Sequence, residues 1–212
     1  MAGTPQPLPC TGVVLAGGAG RRLGGDKALM QICGRPLLAG PLEALRKVCR
    51  PVAVVARAQT KLPPLDDPPP VWLEADGPRH PVTGVVHALQ QAGGRPVLVC
   101  AVDMPLLDAA TLRIILTAAA VVPDAPVVVP QSGGHLHVLC ALYRQSALPG
   151  LQRFDPGARA VDLVSALGPA VIPFEDDTPF FNVNAPEDVL QAEALLAARR
   201  GWWSVGQGGG RV

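Results

Sequence analysis

The 212-residue chain carries almost no surplus charge: 18 Lys and Arg stand against 17 Asp and Glu, a net +1. That balance excludes a general electrostatic attraction to nucleic acid or to an anionic membrane, so any anion is bound at a local site. Charged residues are few in total, 17% against 49% hydrophobic, which excludes an intrinsically disordered chain and leaves ample material for a core. No apolar run reaches the ~18 residues of a spanning helix, and residues 1–9 lack a basic region followed by an apolar one, so membrane insertion and secretion are disfavoured. Cysteine is sparse and scattered. Cys10, Cys33, Cys49, Cys100 and Cys140 are odd in number and mostly in apolar context, which fits reduced thiols in the cytoplasm better than a disulfide framework. Gly and Pro, 23 and 24 residues, stay below the roughly 25–30% of low-complexity chains, so loops are numerous and disorder is local.

At ~100–200 residues per domain the length predicts one domain, placed here at residues 11–200 with flexible termini at 1–10 and 201–212. Short apolar runs at 12–16, 52–56, 71–73, 96–102, 127–129, 136–143 and 171–174 read as strands. Helical periodicity places helices at about 36–48, 82–92, 108–120 with Asp108 as N-cap, 160–167 and 186–199. Five prolines between residues 59 and 70 leave too many missing donors for a ladder or a helix, so that stretch is a loop. Strands that are apolar throughout and alternate with helices predict a three-layer α/β architecture, Rossmann-like, with a mostly parallel sheet flanked by helices on both faces. In such sheets ligands bind beyond the carboxyl ends of the strands, so the loop after Ala16 and the carboxylate after Val102 face one crevice.

The first chemical constellation runs from Leu15, Ala16, Gly17 and Gly18 through Gly20, Arg21, Arg22, Gly24 and Gly25 to Asp26 and Lys27. Its glycines let the backbone approach a ligand and turn N–H groups inward, while Arg22 and Lys27 can neutralise phosphate oxygens. Glycines alone suit a mobile loop equally well; the two cations at fixed spacing favour a phosphate cradle. It is not a P-loop, because Ala28 follows Lys27 where a hydroxyl is needed for magnesium, and it is not a dinucleotide fingerprint, because the last interval of Gly18, Gly20 and Gly24 is wrong. The second constellation is Asp103-Met104-Pro105 at the end of the most apolar strand. Asp103 is either a turn former or a hard oxygen ligand for Mg²⁺, and the neighbouring cradle favours the second. In the third, 180–188, Asn182 and Asn184 lie two apart and can reach one ligand; Asn184 with Pro186, Glu187 and Asp188 also makes a good helix start.

These segments resemble the molybdenum cofactor guanylyltransferase family (MobA-like), within the nucleotidyltransferases. The cradle is similar to its L-A-G-G-x-S-x-R-M-G-x-D-K signature, with Gly20 for the serine and Leu23 for the methionine; Asp103-Met104-Pro105 is similar to D-x-P, and residues 180–188 to F-x-N-V-N-T-P-E-D with Ala185 for threonine. The likeness spans about residues 11–196. It implies a nucleotide-diphospho-sugar-transferase-like fold and a Mg²⁺-dependent transfer of GMP from GTP to molybdopterin or Mo-molybdopterin, with pyrophosphate released. Molybdoenzymes or their chaperones are the implied protein partners. It implies a nucleotide site of Leu15, Ala16, Gly17, Gly18, Lys27, Asp76 and Asp103, with Lys27 and Arg22 on the triphosphate, Asp103 on Mg²⁺ and Asn182 at the reacting centre. The acceptor contacts it implies are Gly84, His137, Arg159 and Asn184, and His80 stands where the family has a glycine. His135 and His137 alternate on one strand face but have no third ligand at metal spacing, and are expected at the cleft rim. Two other readings stay open: a cytidylyl- or sugar-phosphate nucleotidyltransferase, against which the relatives' L-A-A-G and P-K patterns weigh, and a non-catalytic nucleotide-binding homologue.

Overall fold

The computed structural model describes residues 9–17, 27–75, 77 and 79–205, with side chains to Arg199. Strand β1 (Thr11–Leu15) is followed by a hairpin of β2 (Gln31–Ile32) and β3 (Arg35–Pro36), helix α1 (Ala39–Arg46) and strands β4 (Val52–Arg57) and β5 (Val71–Glu74). Next come α2 (Pro81–Gln91), β6 (Val97–Ala101), α3 (Ala109–Val121), β7 (Val127–Ser132), β8 (His135–Leu136) and β9 (Cys140–Tyr143). The chain ends in α4 (Leu148–Gln152), α5 (Ala160–Ser165), β10 (Ala170–Pro173) and α6 (Pro186–Val205). Among the described residues no helix is long and apolar enough to cross a membrane.

The main sheet has the order β10-β7-β9-β6-β1-β4-β5, with β8 paired to β7. Pairs β1–β4, β1–β6, β4–β5 and β7–β10 are parallel, whereas β9 runs antiparallel to both β6 and β7. Alternate residues of each strand feed two cores, one on each face. Val14, Val54, Leu98 and Cys100 pack with Leu42 and Leu45 of α1 and Leu112 and Ile115 of α3. Val13, Val55, Val97 and Val99 pack with Val85 and Leu89 of α2, Leu151 of α4 and Val164 of α5. Both faces are covered, so the strands are apolar throughout, as the sequence predicts for a parallel sheet.

Two differences from the sequence expectation have local causes. The helix expected from residue 36 starts at Ala39, because Cys33 and Gly34 take positive φ (50° and 72°) and form a two-residue hairpin turn that pairs Pro36 with Gln31. The strand expected over residues 136–143 is two strands. Gly133 and Gly134 (φ 53° and 79°) fold β8 back onto β7, and after a turn at residues 137–139 the chain enters the gap between β7 and β6 as β9. Helix α6 runs to Val205, past the expected end at Arg199. Asp108 caps α3 as expected, its Oδ1 accepting from the Thr111 amide at 2.9 Å.

From β1 the chain moves outward through β4 to β5, then crosses back to place β6 on the other side of β1. The strand order therefore reverses between β1 and β6, and the crevice of a doubly wound sheet opens beyond their carboxyl ends.

Candidate active site

The last register pair of that switch point is Leu15 with Ala101, and the Val102 amide still donates to the Leu15 carbonyl at 3.1 Å. The sheet ends there, and the next residue, Asp103, leaves above it. Lys27 reaches the same place: its Nζ donates to Asp103 Oδ2 at 2.7 Å and to Asn184 Oδ1 at 2.7 Å. The third residue arrives because the Val183 amide donates to the Asp103 carbonyl at 2.9 Å, and because Asp188 Oδ2 accepts from the amides of Asn184 and Ala185 as α6 begins. Positions 27, 103 and 184 thus meet in one partly buried cluster, the Lys27 and Asp103 side chains being only 11% and 19% exposed.

Asp103 Oδ1 is buried and has no hydrogen-bond partner among the described residues. An orphaned carboxylate oxygen at the mouth of a crevice fits a hard cation. No group of three or more His, Cys, Asp or Glu that could hold a metal exists among the described residues; Mg²⁺ takes one or two carboxylates and fills its remaining positions with water and substrate phosphate. Lys27 has three ammonium donors and spends two among the described residues, on Asp103 and Asn184, so a third suits an anionic substrate.

Around this cluster lies a cavity of about 320 Å³, whose lining includes Leu15, Gly17, Lys27, Gly84 and Asp103. It also includes Arg57, Glu74, Arg79 and His80, which the sequence reading did not assign to the site. Arg57 Nε donates to Glu74 Oε2 at 3.3 Å, each side chain being 9% exposed, and Arg57 also donates to the Gly77 carbonyl. Glu74 Oε1 is buried without a partner among the described residues. These residues were findable: Arg57 and Glu74 are the last residues of parallel strands β4 and β5, the same positional rule that singled out Asp103.

Other expected residues fall elsewhere. Ala16 is buried beside the cavity, its amide donating to the Val55 carbonyl. The Asn182 amide group turns to the Phe180 carbonyl at 3.0 Å, so it is Asn184 that meets Lys27. His137 is packed: its ring stacks on Phe180 with centroids 4.1 Å apart, and Nε2 lies 2.7 Å from the buried Ser132 Oγ. Burial holds the His137 pKa below the usual imidazole value, His135 adds to this, and Asp177 opposes it. Arg159 is exposed at the N-cap of α5, next to a loop that contacts His80. Gly18, Arg22 and Asp76 lie outside the described residues.

A family model described as the MobA-like NTP transferase domain matches residues 12–171. The chain belongs to the MobA-like NTP transferase family. With that it is a nucleotidyltransferase. A molybdenum cofactor guanylyltransferase of Cereibacter sphaeroides is similar to this MobA-like chain, 32% identical over 197 residues that cover 87% of it and 96% of the relative. A Mycobacterium tuberculosis protein named "Probable molybdenum cofactor guanylyltransferase" is 39% identical over 191 residues, 85% of this chain and 92% of its own. The crystal structure of molybdopterin-guanine dinucleotide biosynthesis protein A from Archaeoglobus fulgidus matches with a TM-score of 0.70 at 22% identity, over 89% of this chain and 99% of that one. That likeness is one of fold, the nucleotide-diphospho-sugar transferase arrangement.

Proposed function

We propose that this MobA-like chain transfers GMP from GTP to the terminal phosphate of molybdopterin or Mo-molybdopterin and releases pyrophosphate. The observation that carries the reading is the Lys27–Asp103–Asn184 cluster at the switch point, with its unpartnered Asp103 oxygen. An acceptor phosphate oxygen attacks the α-phosphorus in line as the bond to the β-phosphate oxygen breaks. The nucleophile is already anionic, so the protein's work is positioning and charge neutralisation. Lys27 supplies its free donor to the triphosphate, joined by Arg22 and the amides of Gly17 and Gly18; Asn184 holds the Lys27 ammonium in place. Asp103 would hold Mg²⁺, which supplies charge neutralisation between phosphate oxygens.

The base is read as guanine on two grounds, the names of the relatives and the chemistry of Glu74. Glu74 lines the cavity and its buried Oε1 has no partner among the described residues; a carboxylate suits the adjacent N1–H and N2–H donors of guanine, a pair that cytosine does not offer. Asp76 is a further nucleoside contact in this reading, and Gly84, His137 and Arg159 belong to the acceptor side. The His137 part takes an indirect form, since its ring supports Phe180 and through it the segment that delivers Asn184. One catalytic domain over residues 11–200 acts in the cytoplasm, and molybdoenzymes or their chaperones receive the product.

The test is Mg²⁺-dependent pyrophosphate release from GTP, ATP, CTP and UTP in parallel, with and without molybdopterin. Release confined to GTP plus molybdopterin is the expected result. Release from CTP, or with a sugar phosphate, moves the protein to a sibling transferase, and tight GTP binding without release makes it a non-catalytic homologue.

A further inference from the structure

His80 makes contacts that its place in the sequence did not foretell. It stands at the N-cap of α2, where Nδ1 accepts from the Val82 amide at 3.2 Å. Its other ring nitrogen, Nε2, lies 3.0 Å from the Ala158 carbonyl oxygen, 78 positions along the chain. A carbonyl only accepts and an amide N–H only donates, so the two bonds together fix the neutral tautomer with the proton on Nε2. The ring also lies against Phe154, centroids 4.7 Å apart and tilted by 31°. One side chain therefore bonds to the helix whose first turn lines the cavity and, at the same time, to the loop at 154–159.

Phe154 and Ala160 pin the two ends of that loop against the core, and between them His80 bonds to its backbone. Asp155 closes it on itself through the amides of Gly157 and Ala158, and it then opens α5 with Arg159 as an N-cap that has no side-chain bond. The Ala158 carbonyl and the Arg159 N–H belong to one planar peptide unit. Holding the carbonyl fixes the plane from which the Arg159 side chain departs.

We propose that His80 is a positioning residue that straps the 154–159 loop to the N-terminus of α2 and so sets where Arg159 meets the acceptor's phosphate. The inference rests on the acceptor role given to Arg159 above. His80 serves binding of the second substrate while leaving the triphosphate contacts of Lys27 and Asp103 untouched.

The two ring nitrogens can be tested separately. In His80→Asn the side-chain oxygen stands where Nδ1 stood and keeps the cap, Asn being among the best N-cap residues, but nothing reaches Ala158. In His80→Gln the terminal amide extends to the Nε2 position and can still donate to Ala158. Two readouts apply to the full chain: KM for GTP and for molybdopterin by pyrophosphate release, and amide exchange of Ala158, Asp162 and Leu163. His80→Asn is expected to keep the melting temperature, to raise the molybdopterin KM about tenfold and by more than it changes the GTP KM, and to speed exchange in the loop. His80→Gln is expected to restore both loop protection and acceptor KM. Unchanged exchange in His80→Asn overturns the strap; faster exchange with an unchanged acceptor KM overturns its role in acceptor binding; equal acceptor loss in the Asn and Gln variants does the same. If the wild-type protein does not turn over molybdopterin, the functional reading falls, and the exchange comparison alone still decides the strap.

Discussion

Replacing Lys27 by Ala removes the cation bonded to both Asp103 and Asn184, and Asp103→Asn removes the carboxylate charge while keeping its shape. Each should lower kcat for pyrophosphate release by at least about 10²–10³-fold, the usual loss for one preorganised electrostatic group, with a circular dichroism spectrum that does not change. Asn184→Ala should cost more turnover than Asn182→Ala, because the Asn182 amide is spent on the Phe180 carbonyl. The sequence pattern identified the paired asparagines and put Asn182 at the reacting centre and Asn184 on the acceptor side, whereas the structure brings Asn184 to Lys27. Their spacing is the same either way, and the choice is made by the Val183 amide docking on the Asp103 carbonyl, a contact 80 positions apart. His137 carries a pH prediction. Its folded pKa is lowered from about 6.5, so as pH falls the unfolded chain takes up the proton first. Its contribution to stability is therefore complete above pH 6.5 and is lost as pH falls through 6.5 toward the lower folded value. His137→Gln should flatten the fall in melting temperature between pH 7.5 and 5, measured by differential scanning fluorimetry against wild type.

Among the elements, Gly12 of β1 lies tight against α1 and the turn that follows it: a Cβ there would lie 3.0 Å from Cys49 Cβ and 3.2 Å from Leu45 Cδ2. Gly12→Ala should destabilise the fold by about 1–3 kcal/mol, the range for overpacking a filled core, read as a lower urea midpoint with an unchanged slope. The elements that carry the phosphate end of the site were legible because long apolar strands and long amphipathic helices announce themselves by period. The β2–β3 hairpin and the split of β8 from β9 were not. Two residues per strand give no period, and Pro36 near a leucine-rich run imitates a helix start. The antiparallel insertion of β9 also had no local signal, since its residues are apolar on both faces like those of its parallel neighbours.

For the whole molecule, a ligand that binds only the folded state stabilises it by mass action. GTP with Mg²⁺ at a hundredfold excess over Kd should add about 2.7 kcal/mol, a rise of roughly 5–10 °C in melting temperature for a chain of this size. Chelation with EDTA should remove the magnesium-dependent part of that rise and abolish turnover. The architecture and the switch point followed from the alternation of strands and helices, whereas Arg57 and Glu74 were passed over because single charged residues at strand ends carry no motif. The order in which the chain is made gives the inserted β9 another meaning. Strand β6, buried at every position in the finished fold, gains its second hydrogen-bonded edge only when Tyr143 has been synthesised, 42 residues after Ala101. At roughly 5–20 residues per second, the nascent protein carries a bare, uncharged Val-Leu-Val-Cys-Ala edge for about 2–8 seconds. A chain truncated by ribosome stalling or premature termination before Tyr143 would keep the centre of the future sheet as an unpaired edge, the kind of edge that templates aggregation.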